Sequence, residues 1–149
     1  MNSCKSKFIA LFAFASTFHV QAQVLDRVSI EGEVSNKREL QLYSLDVVYK
    51  PMKTKGAEIR WRQIKSISLI LSGKKIEFPK TAFEDLTFAH EPTPLKTDAV
   101  TGNRHFEVGG GDGELSYRVV FYVNDEGLVR RELFRHMVKK PEVLRFHTE

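Results

Sequence analysis

Four histidines lie beyond the N-terminal apolar run: His90, His105, His136 and His147. His105 has a carboxylate at strand spacing, in Arg104-His105-Phe106-Glu107. Side chains two apart on a strand point to the same face, so His105 and Glu107 would project together. Two such groups could begin an acid–base or metal site. The sequence places no third ligand, and the plainer account is the polar face of an exposed strand. Glu132 and His136 are four apart and would meet on a helix face. With no His-Glu-x-x-His there is no zinc-protease pattern, and they read as a surface pair. Ser and His occur without a Gly-x-Ser-x-Gly nucleophile elbow. The adjacent acids Glu84 and Asp85 read as part of a short helical turn.

The run Gly109 to Gly113, GGGDG, invites a phosphate-loop or calcium-loop reading. A phosphate loop needs Lys and Ser or Thr after the glycines, and a calcium loop needs several spaced oxygen ligands. Here Glu114 and an alternating pattern follow, so the run reads as a loop joining two strands. No metal site and no cofactor are expected. The ligand-binding candidates come from elsewhere. Arg130, Arg131, Arg135, Lys139, Lys140 and Arg145 bias the last twenty residues toward positive charge. Such a face suits an anionic polymer, lipid headgroups or an acidic partner, although a solvated face also explains it. Trp61, the single tryptophan, lies between Arg60 and Arg62. Exposed, it could stack on a ligand. Sharing a face with Ile59, it fits a core position better. The candidate set is therefore Trp61, Arg130, Arg131, Arg135, Lys139 and Lys140.

These residues sit behind a leader. Phe8 to Val20 is apolar, preceded by Lys5 and Lys7 and followed by Val20-Gln21-Ala22. A basic start, a short apolar centre and an A-x-A-like end make a secretory signal peptide. At roughly 1.5 Å per residue the run covers about 20 Å, short of a bilayer core of about 30 Å. Cleavage is expected between Ala22 and Gln23. The mature part, 23–149, is then a single exported domain, periplasmic or extracellular, with no transmembrane span. Cys4 leaves with the leader, so the mature chain has no thiol. The leader also removes two lysines, leaving 21 Lys and Arg against 19 Asp and Glu. That near balance argues against nucleic acid as a partner.

The elements that position the candidates read as strands. The mature part holds 13 Val, 6 Ile and 7 Phe against 4 Ala, a β-leaning composition. Alternation runs through Val24 to Val34, and through Tyr43, Leu45, Val47 and Tyr49, with a bulge or exchange of faces near Leu42. Ile67, Leu69 and Leu71 lead to a turn at Ser72-Gly73-Lys74, and Ile76 and Phe78 return. Thr81 and Glu84 form a capping box opening a short helical turn. A long polar connection covers Thr87 to about Gly102. Asn103 to Val108 is a short strand. Glu114 to Val123 is a central strand with Leu115, Tyr117, Val119, Phe121 and Val123 on one face. Asn124-Asp125-Glu126-Gly127 is a hairpin turn with glycine left-handed, returning through Leu128. The alternative is a helix over 128–140, with Pro141 beyond it. Val143 to Phe146 is a last short strand.

Eight or nine short strands predict a mainly β fold, a small antiparallel β-sandwich or partly open barrel with one helical turn. The alternative helix would make it α+β. The functional expectation is a non-catalytic binding or scaffolding module of the cell envelope, with an anionic envelope polymer or another envelope protein as partner. A small envelope hydrolase or metal-dependent enzyme, and a subunit of a larger exported assembly, are the alternatives.

Overall fold

The computed structural model describes residues 26–36, 38–52 and 62–146. The leader, the Ala22–Gln23 cut, Val24, Trp61 and His147 lie outside the described residues. Ten strands fall within them: β1 (Asp26–Ser35), β2 (Leu40–Pro51), β3 (Arg62–Leu71), β4 (Lys74–Glu77), β5 (Ala89–Pro92), β6 (Lys96–Thr97), β7 (Arg104–Gly110), β8 (Tyr117–Val123), β9 (Leu128–Arg135) and β10 (Glu142–Arg145). They form two antiparallel sheets, a mainly β sandwich with no closed barrel. One is the four-stranded meander β1-β2-β3-β4. The other runs β10-β9-β8-β7-β5, with β6 also on β7.

Alternation explains the packing. Tyr43, Leu45, Val47 and Tyr49 of β2 face Phe106 and Val108 of β7 and Val119, Phe121 and Val123 of β8 across one core. Phe78, just after β4, sets its ring edge-on to Phe106 and Phe121, each 5.7 Å away, while those two stack at 5.1 Å. Such aromatic contacts contribute about 0.5–1.5 kcal/mol each beyond burial.

Register shifts in three pairings, the short β5–β7 one between Ala89 and Pro92 and two longer ones where a bulge breaks strict alternation. The β2–β3 register shifts between Val48 and Tyr49, where Lys65 is the extra residue. Ile64 and Ile67, three apart, are consequently both buried. The β8–β9 register shifts between Tyr122 and Val123, and Leu128 and Val129 both become buried. The bulge expected near Leu42 is absent: β1 and β2 pair without a shift through that point. Leu40 and Leu42 lie on the outer face, more than 60% exposed.

The turns carry their own chemistry. Ser72 (φ 49) and Gly73 (φ 80) are both left-handed, the two-residue turn whose twist matches the flanking strands. In the β8–β9 hairpin, Asn124 N donates to Gly127 O, and the Asn124 side-chain oxygen accepts from the backbone N–H of Glu126 and Gly127. Gly127 there is close to extended (φ 159), not left-handed helical. Leu128–Arg135 is a strand, so the helix alternative over 128–140 falls. The backbone bond from Asn124 N to Gly127 O closes the hairpin, and Leu128 to Arg135 pair along β8.

Four further expectations are corrected. The helical turn is Lys80–Ala82, starting from Pro79 with no side-chain cap, so Thr81 and Glu84 make no capping box. Pro79 fixes the entry instead. The stretch after Thr87 contains β5 and β6, with Ala89, Pro92 and Leu95 buried. Gly109 and Gly110 belong to β7, opposite Arg118 and Tyr117. A Cβ on Gly110 would sit 2.2 Å from the Tyr117 hydroxyl, so the strand passes beneath that ring only because residue 110 is glycine. Leu115 lies in a short turn, Gly113–Leu115, before β8, and is 77% exposed.

Candidate functional site

The outer face of the six-stranded sheet gathers the polar and aromatic groups. Register alone defines its rows. Lys96 pairs with His105, His105 with Tyr122, Tyr122 with Arg130, and Arg130 with Arg145. At about 4.8 Å between strands this row runs about 19 Å across five strands. The His105 and Tyr122 rings lie 5.7 Å apart, and the Arg130 guanidinium sits 4.0 Å above the Tyr122 ring. Such a cation over an aromatic face is favourable by about 0.5–1 kcal/mol.

The neighbouring row is Glu107, Val120, Glu132 and Val143. Arg130 Nε donates to Glu132 at 3.1 Å, and the Tyr122 hydroxyl donates to the same carboxylate at 3.3 Å. Burial, with Glu132 beside it, raises the Tyr122 phenol pKa, so this group stays protonated and a donor at neutral pH. Arg118 in the third row donates to Glu107 at 3.0 Å and stacks over Phe134 at 4.3 Å. The face is a preordered lattice of planar cations, aromatic rings and carboxylates. It presents donors and stacking surfaces.

The sequence candidates separate. Arg130 lies in the outer row. Arg131, its neighbour, points to the opposite side of β9 and is buried. Both ends of its guanidinium donate to Asp85, at 2.6 and 2.7 Å, and Nη1 also donates to the Ala82 carbonyl at 2.8 Å. It joins the helical turn to the sheet interior. Arg135 ends β9 and pairs with Glu142 at 3.1 Å. Lys139 and Lys140 are exposed in the connection between β9 and β10. The C-terminal cations therefore form no single face, because a strand sends successive residues to opposite sides. Trp61 is outside the described residues.

His105 and Glu107 do share a face, as their spacing implied, but Glu107 is engaged by Arg118. Glu132 and His136 lack the helix that would have joined them. Among the described residues no three His, Cys, Asp or Glu side chains cluster as a metal site. A cleft of about 140 Å³ at one end of the sheet is lined by Asp85, Thr87, Tyr117 and Arg135 among others. Its polar groups are already committed: Asp85 to Arg131, and the Tyr117 hydroxyl to the Thr87 carbonyl at 2.9 Å. Lys96 and Tyr122 were not singled out by sequence. Only register sets Tyr122 opposite Arg130 and puts Lys96 at the far end of the same row, and a strand's own residues do not show which ones will stand opposite them.

Among the described residues no helix is long and apolar enough to cross a membrane. No family model, no curated protein and no solved structure matches the chain.

Proposed function

We propose that this chain is an exported, non-catalytic binding module of the cell envelope, and that the outer face of its six-stranded sheet takes an anionic envelope polymer. The observation that carries the reading is the in-register row Lys96, His105, Tyr122, Arg130 and Arg145. A polymer lying across the strands would meet cations at both ends of this row and aromatic rings between them. Guanidinium groups bind carboxylate or phosphate through paired donors, and rings stack on apolar sugar faces. The leader pattern supports export, and the near-neutral mature charge supports a local site over a global electrostatic one.

The test uses dextran sulfate as the probe, with uncharged dextran as control. Retention of dextran sulfate at low salt is expected to fall as salt screens the row. Lys96 is exposed, and Lys96→Glu is expected to weaken binding about tenfold without altering the fold. Equal binding of both dextrans, or an unchanged affinity in Lys96→Glu, would refute the surface. Export is tested separately: the intact mass of protein from the extracytoplasmic fraction should begin at Gln23.

A further inference from the structure

We propose that β1 is a self-pairing edge, joining two copies of this chain across a two-fold axis at Ser29. β1 ends the four-stranded sheet, and among the described residues it ladders with β2 alone. It spans ten residues without a proline or a bulge. Proteins ordinarily blunt such an edge, because its free N–H and C=O groups template another strand. The edge strands β4 and β10 have four residues each. β1 is the long one.

Its side chains are self-complementary when the strand meets itself antiparallel. Centred on Ser29, the pairing sets Arg27 opposite Glu31 of the second copy, and Glu31 opposite its Arg27. Glu33 falls diagonally beside each Arg27. These residues are exposed on the outer face. Directly opposed charges of opposite sign favour a register, and like charges exclude one. On the inner face the same register opposes Val28 and Ile30, twice by symmetry. Both side chains pack on the core yet are only partly buried. A second copy would finish covering them, as a neighbouring strand does elsewhere in the sheet.

Small Ser29 on the axis lets the backbones approach. The Thr97 hydroxyl donates to the Ser35 carbonyl at the far end of the strand, which among the described residues leaves the outer backbone edge of Asp26 to Gly32 open, while the side chains of Asp26 and Ser29 are bonded to Arg62 and Asp46 within the sheet. Moving the axis to Ile30 would set Val28 against Gly32 and push the pairing toward that occupied end. The contact is isologous, so it closes at two copies and joins two four-stranded sheets into one of eight.

The test is sedimentation equilibrium of the natural full-length chain. So small an interface should give a dissociation constant on the order of 10–100 μM, the mass rising from one chain to two. Arg27→Glu sets carboxylates opposite carboxylates and should raise that constant at least about tenfold, and adding Glu31→Arg should restore it. Circular dichroism checks that both variants fold. Directly opposed strand residues lie at disulfide distance, about 4.5–5.5 Å between Cα atoms. With Cys4→Ser in the background, Ser29→Cys should therefore oxidise to a covalent dimer and Ser35→Cys should not. A one-chain mass up to about 500 μM, a dimer indifferent to Arg27→Glu, or equal cross-linking at residues 29 and 35 would each overturn the proposal.

Discussion

Replacing Asp85 by alanine removes the carboxylate that neutralises Arg131 inside the sandwich. The two partners are unequally placed. The Arg131 side chain keeps 8% exposure, whereas Asp85 keeps 43%. The group left stranded is thus the buried cation. Breaking a fully buried pair costs about 3–5 kcal/mol, but here one partner is half in water and Arg131 retains the Ala82 carbonyl at 2.8 Å. We expect a loss of about 2 kcal/mol, about 30-fold in the folding constant, or about 1 M in the urea midpoint. Arg131→Met and the double variant complete a cycle, with an expected coupling of about 1–2 kcal/mol. The effect should also depend on pH. The hydrogen bond from Arg131 is the main cause holding the Asp85 pKa below its ordinary 3.8. A depressed carboxyl pKa stabilises the fold above the unfolded value, and that contribution is lost as pH falls through the folded one. The gap between the natural chain and Asp85→Ala should therefore narrow below about pH 4. A coupling under about 0.3 kcal/mol, or a gap unchanged in acid, would refute the account of Arg131 as a buried clamp.

Gly111 has φ 74, and a Cβ there would lie 2.2 Å from the Leu115 carbonyl oxygen, while Gly113 at φ 53 has open space around it. Gly111→Ala is expected to cost about 3 kcal/mol or more and Gly113→Ala about 1, read as urea midpoints. Tyr49→Phe should cost about 1 kcal/mol, because it strips the His90 carbonyl of a 2.7 Å donor in the part-buried seam between the sheets. Burial pushes the Tyr49 phenol up to about 12 and raises Tyr117 as well. Phenolate absorbance at pH 11 should show these two tyrosines still protonated in the folded chain. Stability should be full below the unfolded value of about 10 and fall as pH rises past it. A four-tyrosine titration centred near 10 with the fold intact would contradict this.

The mainly β class, the hairpins at Ser72-Gly73 and Asn124 to Gly127, and most of the core were legible in the order of residues. Period-two patterning and turn chemistry are local, and burial of one face follows wherever the alternation is clean. Legibility failed where a partner far along the chain mattered. Arg131 shares its parity with Val129 and Leu133, which hints at an inward position, but nothing local says that Asp85, 46 residues earlier, waits to receive its charge. Arg104 is likewise drawn into the core side of β7 by Asp125, from the next hairpin. β5 and β6 were hidden in a proline-rich polar stretch, because edge strands tolerate proline and expose polar residues. The bulges opposite Val48 and before Val123 redirected whole strand segments, a choice made by two strands together. The row from Lys96 to Arg145 likewise exists only once five strands are in register. A linear chain specifies which faces each strand owns, and only the folded sheets specify which residues stand side by side.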